Sequence, residues 1–478
     1  VKKLIVLVVA LTLVVGSLIH VGPLATEAST IRILIDGEPM TLQVAPIIRN
    51  GRVLVPFRAL FEAFGATVGW QEATSTVTGQ LGATTISLVL NRQDATVNGR
   101  TVRLDVAPTV VSGRTLVPLR FVAENLGADV RWDEATQTVI VVRPVALRRV
   151  RIAGNAQSDK LAAYANQDAF ISPAELKQLM DRNEPNLVVI GVINPTLAII
   201  PLHAARSPIA GSFTVWRGDY SGTGSALAVA QSVSGMALSR ETMENLLSRA
   251  GATPQSMIVV YALDAMHDAA RFMWQIRQLG HRDVRLLDGG LNAWQAANFP
   301  TGSFARLAEQ PVQTTYRAPD FDAMRGNARL GDVITALQNP NEWVVIDTRS
   351  ADEFNGRPSA SSRGAFGTGR LTGSVHIEWV AANAADRTLR TREEIAAAYS
   401  EAIRGRKVIV FCQSGVRSSH TQIILRDVLG LEVYNYDGSW IDWSFAGSEA
   451  SANQVPDIVR NQVRAHTEVW TDNRGELR

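Results

Sequence analysis

Cys412 is the single cysteine of a 478-residue chain. Alone it makes no internal disulfide, zinc cluster or CxxC redox pair. It is therefore either an inert buried thiol or a lone nucleophile. The apolar run ending at Phe411 reads as a buried strand. Gln413-Ser414-Gly415-Val416-Arg417 reads as a loop, and a helix is expected to begin near Ser418 or Ser419. A strand, tight loop and helix in that order direct free backbone N–H groups and the positive helix end into the loop. The helix end contributes about 0.3–1 kcal/mol when exposed and up to ~2 when partly buried. Arg417 adds a fixed positive charge. Such surroundings lower a cysteine pKa from about 8.5 into roughly the 3.5–7.5 range. The thiolate is the nucleophile, and a persulfide on Cys412 is stabilised by the same groups. Free cysteines are often buried and inert, but Gln-Ser-Gly-x-Arg-Ser after the cysteine argues for a site.

The elements that must position this loop alternate β and α, which favours an α/β fold with a parallel sheet flanked by helices. Leu330 to Leu337 reads as a helix, Trp343 to Ile346 as a strand ending at Asp347-Thr348-Arg349, and Ser418 to Leu429 as a helix. The preceding half repeats this plan. Met257 to Tyr261 lies 150 residues before Lys407 to Phe411, and Leu279-Gly280 lies 150 before Leu429-Gly430. That shift sets Ala262 opposite Cys412 and His267 opposite Arg417, so the first copy has no nucleophile. Ser172-Pro173-Ala174-Glu175 opens its first helix, with Ser172 as N-cap. The predicted domains are 168–302 and 325–447, with a linker over 144–167 and a polar tail over 448–478.

The second half resembles a catalytic rhodanese domain. The resemblance rests on V-I-D-x-R-S-x-x-E-F from Val345, L-x-G-S-V-x-I-x-W from Leu371, C-x-S-G-x-R-S-S-H-T from Cys412 and Y-D-G-S-W-x-D-W from Tyr436. The first half is similar to the non-catalytic partner domain in V-V-Y from Val259 and L-D-G-G-L-N-A-W from Leu287. Tandem pairs of this kind are typical of thiosulfate and 3-mercaptopyruvate sulfurtransferases. The resemblance implies that Cys412 takes the outer sulfur of a donor such as thiosulfate and passes it to cyanide or a thiol. Gln413, Ser414, Gly415, Val416, Arg417 and Ser418 would bind the substrate, Asp347 and Arg349 would support the loop, and no metal or cofactor is implied. Because no second cysteine exists, the acceptor is external. Glu353 stands where some members carry a substrate-binding arginine. Arg363, Arg370, His376 and His420 read as structural, and Trp440 and Trp443 as core. Four residues separate Cys412 from Arg417, whereas cysteine phosphatases place five there, so the shorter loop suits sulfur. A 3-mercaptopyruvate donor and a non-catalytic cell-surface binding module remain the alternatives.

Residues 30–143 hold a second duplication, at a shift of 62. Gly51-Arg52-Val53-Leu54-Val55-Pro56 returns as Gly113-Arg114-Thr115-Leu116-Val117-Pro118, and Trp70 as Trp132. Each unit reads β-β-α-β, an α+β module, with Gly65 and Gly127 at helix C-caps. The pattern resembles the copper-amine-oxidase N-terminal-like, or stalk, domain. The segment has no His or Cys, which argues against a soft-metal site. The resemblance implies a spacer or a cell-wall or surface contact, and Trp70 and Trp132 are expected in its core. Lys2, Lys3, the apolar run Leu4 to Ile19 and the small residues before Ser29 read as an export signal over 1–28. Cleavage after Ala28 is favoured over a retained anchor, and an extracellular, cell-surface or periplasmic location follows. With 47 basic and 45 acidic residues the chain has a formal charge of +2, which argues against a nucleic-acid partner.

Overall fold

The structure, a computed structural model, describes residues 31–36, 38–81, 84–143, 152, 154–184, 186–194, 207–223, 228–229, 234–263, 266–357 and 364–471. The expected export signal and Arg363 lie outside them.

Both copies of the α/β plan are present and share one topology. In the first, strands run in the order Phe170–Ile171, Val284–Leu287, Met257–Ala262, Leu187–Val192, Phe213–Val215, all parallel. In the second, the order is Asn327–Ala328, Val433–Tyr436, Lys407–Phe411, Trp343–Asp347, Val375–His376, again all parallel. The central strands are buried on both faces, which is why they read as continuous apolar runs. Ser172 accepts the Glu175 N–H and Glu175 returns a bond to the Ser172 backbone, the expected capping box. Such a cap contributes about 1 kcal/mol.

The two α/β copies meet through equivalent helices, His267–Gln278 and Val416–Asp427. Each follows the loop at the end of its central strand. One apolar cluster runs through both domains, with Phe272 and Ile276 from one side and Ile423, Ile424 and Val428 from the other. Burying each such side chain contributes about 1.5–3 kcal/mol. The same helix carries a buried polar run, Ser418, Ser419, His420, Thr421 and Gln422, and Ser419 and Gln422 bond within the second domain, to the Gly415 and Val433 carbonyls.

The stretch read as a linker is helical over Ala156–Ala162 in its described part. Lys160 in it pairs with Asp288 at 2.8 Å and donates to the Leu389 carbonyl at 2.6 Å, which ties the two domains together. The stretch read as a polar tail is also folded. Helix Asp457–Ala465 buries Val463 in the second domain, and strand Thr467–Thr471 pairs antiparallel with Thr368–Leu371.

The N-terminal module is built on its repeat. Strands Arg52–Pro56 and Arg114–Pro118 lie antiparallel with Val55 opposite Val117. Those two residues are 62 apart, so a local twofold axis passes through the pair. Helices Phe57–Ala63 and Leu119–Asn125 follow and bury Leu60, Phe61, Val122 and Ala123. Gly65 and Gly127 sit at φ +74° and +87° after them, as a glycine stop requires. Four strands precede each helix rather than the two expected. Trp70 and Trp132 correct the reading made from their pattern. They are 44% and 38% exposed, not core, and each stands on the edge strand of its sheet.

Candidate active site

Cys412 lies one residue past strand Lys407–Phe411 and is 1% exposed. Helix Val416–Asp427 starts two residues earlier than expected, capped by Gly415. Arg417 and Ser418 therefore occupy its first turn. Gly415 has φ +78°. A Cβ there would lie 2.5 Å from Asp437 Oδ1 and 2.9 Å from Arg271 Nη1, so both backbone and space demand glycine.

The loop is held from the turn Asp437-Gly438-Ser439. The Cys412 and Gly415 N–H groups donate to Ser439 Oγ at 3.1 and 3.0 Å, and Ser439 donates onward to the Tyr436 carbonyl at 2.8 Å. These two N–H groups thus fix the loop instead of facing the sulfur. The sulfur takes the Ser418 hydroxyl at 3.6 Å and is further supported by the Ser414 and Ser418 N–H groups. Burial pushes the Cys412 thiol up. The Arg417 guanidinium and the hydrogen bonds from Ser418 and Ser414 more than offset that and hold it below its ordinary value.

Arg417 is not a free cation. Its guanidinium forms a fork with Glu353, at 2.7 and 3.0 Å. Burial opposes the charge on Glu353, but the Arg417 fork and the Ser350 bonds hold its carboxyl down at about 2. Asp347 and Arg349 form a separate buried pair at 2.6 Å. Arg349 also donates to the Gly369 carbonyl at 2.9 Å and lies over the Trp440 ring at 4.7 Å. The Trp440 N–H in turn donates to the Cys412 carbonyl at 3.0 Å. The strand-end pair thus borders the loop through Trp440 and through Phe411, whose ring centroid lies 5.8 Å from the Arg349 guanidinium.

The rhodanese-like domain family matches residues 172–297 and 332–446, about half of the chain, and the second match contains the Cys412 loop. The chain belongs to the rhodanese family. The copper amine oxidase N-terminal domain family matches residues 34–141 ahead of the rhodanese pair. A relative from Mycolicibacterium smegmatis is 34% identical over 213 residues, 42% of this chain and 73% of its own length. The thiosulfate sulfurtransferase of Corynebacterium glutamicum is 30% identical over 210 residues, 42% of this chain and 68% of its own. Among solved structures, SseA from Escherichia coli aligns at 22% identity and TM-score 0.46, over 57% of this chain and 99% of that one. The protein is a rhodanese-family sulfurtransferase.

In this rhodanese pair the first domain closes the base of the second. Arg271, on helix His267–Gln278, pairs with Asp437 at 2.5 Å, and both side chains are fully buried. Asp437 also accepts the Ala237 N–H at 3.3 Å. Gly235 packs against Ser414, leaving 3.7 Å between a Cβ built on it and the serine Cβ. The Gln413 side chain is buried, and its amide has no hydrogen-bond partner among the described residues.

The other residues weighed from sequence are structural. His376 bonds the Arg349 carbonyl at 2.8 Å and stacks on Phe354. Arg370 pairs with Glu468. Trp440 and Trp443 are buried. His267 and His420 flank the Trp379 ring, with ring centroids 4.6 and 5.4 Å away. Sequence reasoning missed Ser439, Arg271 and the tie between Glu353 and Arg417. Tyr-Asp-Gly-Ser-Trp was the visible signal for the first, and for the last the presence of Glu353 where some members carry an arginine.

Burial, aided by the neighbouring His267, pushes the His420 imidazole down to about 3. The unfolded chain binds a proton near 6.5 and the folded chain does not until about 3. Unfolding therefore takes up a proton across that window, and stability falls as pH falls from 6.5 toward 3, by up to about 1.4 kcal/mol per unit. His420→Phe should flatten this part of the pH–stability curve in urea unfolding between about pH 4 and 7. An identical slope in the variant would refute the assignment.

Proposed function

We propose that the protein moves sulfane sulfur from thiosulfate to an external thiol or cyanide through a persulfide on Cys412. The Cys412 thiolate attacks the outer sulfur, the S–S bond of thiosulfate breaks, and sulfite leaves with the bonding pair. The acceptor thiolate or cyanide then attacks the bound outer sulfur, and Cys412 leaves as thiolate. The observation that carries this reading is the setting of the sulfur. It is a buried thiol at a helix start, held below its ordinary pKa by Arg417 and by hydrogen bonds from Ser418 and Ser414. The unpartnered Gln413 amide leaves a donor and an acceptor for an incoming group. The Corynebacterium relative's name supports thiosulfate as donor. The Glu353 fork across Arg417 lowers the net charge at the loop and favours 3-mercaptopyruvate, a monoanion, as the second reading.

Incubation with thiosulfate and cyanide, followed as thiocyanate, tests the proposal, with 3-mercaptopyruvate as the competing donor. A larger kcat/KM for thiosulfate is expected. The reverse order would establish the second reading, and no turnover of either donor would sink both. The pH profile checks the electrostatics. With thiosulfate, kcat/KM should rise with one ionisation below the ordinary thiol range. Replacing Arg417→Met together with Glu353→Gln, so that no lone carboxylate is buried, should move that limb to higher pH. An unmoved limb would show that Arg417 does not act on the sulfur. Export is proposed from the N-terminal apolar run, and N-terminal sequencing of protein recovered outside the cytoplasm tests for the cut after Ala28.

A further inference from the structure

The N-terminal module carries two grooves that the sulfur chemistry does not use. One, of about 590 Å³, is lined by Arg58, Glu62, Trp70 and Arg114. The other, of about 640 Å³, is lined by Arg120, Glu124, Trp132 and Arg52. The shift of 62 carries Arg58, Glu62 and Trp70 onto Arg120, Glu124 and Trp132, and Arg52 onto Arg114. The grooves are thus copies of one another, exchanged by the local twofold, and each is assembled from both repeats.

All four side chains recur in both copies. Neighbouring positions have diverged, with Ala59 against Phe121 and Gln43 against Asp105. The two indoles are far more exposed than core residues, at 44% and 38%, and the equivalent residues Ile48 and Val110 are 52% and 50% exposed. Ile48 lines the larger groove. Exposed apolar groups gathered in a concave, charge-rimmed surface mark a binding site rather than scatter. Arginine outnumbers acid in both grooves, four to two in the larger and two to one in the smaller. Arg58–Glu62 and Arg120–Glu124 are exposed pairs at 3.7 and 3.4 Å, which open at little cost. Arg114 donates to the neutral Gln43 at 3.2 Å, whereas its counterpart Arg52 meets Asp105 at 2.7 Å in an exposed pair.

We propose that the two grooves bind an acidic polysaccharide. Each tryptophan takes the flat C–H face of a sugar ring, and the arginines take its carboxylate in forked hydrogen bonds. A duplicated site suits a repeating ligand, because two linked contacts add avidity. An acidic peptide offers the carboxylates without the flat ring faces that two exposed indoles fit. The proposal is independent of the sulfur chemistry and stands or falls on binding alone.

Calorimetric titration of the full chain with polygalacturonate oligosaccharides tests it, with dextran oligosaccharides and poly-glutamate as comparisons. Polygalacturonate should occupy two sites per chain and weaken severalfold between about 0.05 and 0.5 M salt, while dextran should not bind. Trp70→Ala and Trp132→Ala should each remove one site, and the double variant should bind at least about tenfold more weakly. Unchanged thermal melting and sulfur transfer in the double variant would show the fold intact. If those variants fail to fold, Arg58→Gln with Arg120→Gln carries the same test from exposed positions. Absence of polygalacturonate binding, equal binding of poly-glutamate, or undiminished binding by the folded variants would overturn the proposal. A concentration-dependent dimer abolished by Trp132→Ala would overturn it too, by assigning the groove to a second copy of the chain.

Discussion

Cys412→Ser should lower sulfur transfer at least about a thousandfold, to the uncatalysed background. A serine hydroxyl stays protonated at working pH and forms no stable bond to a sulfane sulfur. The replacement is nearly isosteric. The Ser418 hydroxyl, 3.6 Å from the sulfur, keeps an acceptor, and the loop remains fixed by Ser439 through the Cys412 and Gly415 backbone. The melting temperature should therefore stay close to that of the parent, which separates lost chemistry from lost fold. Intact mass after thiosulfate treatment gives the second readout. The parent should gain one sulfur that dithiothreitol removes, and the variant should gain none. Residual turnover within tenfold of the parent would place the reacting group elsewhere, and the first domain offers no candidate, since Ala262 stands in register with Cys412.

Periodicity and repeat arithmetic reached far into this fold. A shift of 150 predicted two α/β copies, and the two sheets have the same strand order. A shift of 62 predicted the N-terminal duplication, and the structure adds that its axis runs through Val55 and Val117. The Cys412 loop was legible because its chemistry is local, the six residues Cys412 to Arg417 at a strand end and helix start. What escaped were partners brought from afar. Glu353 precedes Arg417 by 64 positions, and no spacing rule links an acid in one short helix to a base in another. The run Ser418 to Gln422 is polar yet wholly buried, enclosed between its own sheet and the helix of the other domain, and nothing local in the sequence marks that burial. Trp70 and Trp132 show the converse. Alternation along a strand tells which residues share a face, but not whether that face is covered.

Arg271→Met should destabilise the rhodanese pair by about 3–5 kcal/mol, a fall in Tm of roughly 10 °C, and should impair turnover although Arg271 belongs to the domain without a nucleophile. The pair it forms with Asp437 is fully buried, so removing the guanidinium strands a carboxylate in an apolar setting. Coulomb attraction alone does not make such a pair stabilising. The cost of breaking it comes from the charge left behind. Restoring neutrality is therefore the decisive comparison, and Arg271→Met with Asp437→Asn should recover much of the lost stability. Activity need not recover with it. Asp437 touches the space over Gly415, and two residues on, Ser439 anchors the Cys412 and Gly415 N–H groups. Freed from Arg271, that turn can shift, and the loop with it. The Arg271 variant should then show a lower kcat, with the acid limb of kcat/KM moved up in pH as the Ser414 and Ser418 bonds to the sulfur lengthen. A variant that melts with the parent and keeps its pH profile would show that the first domain packs against the active loop without tuning it.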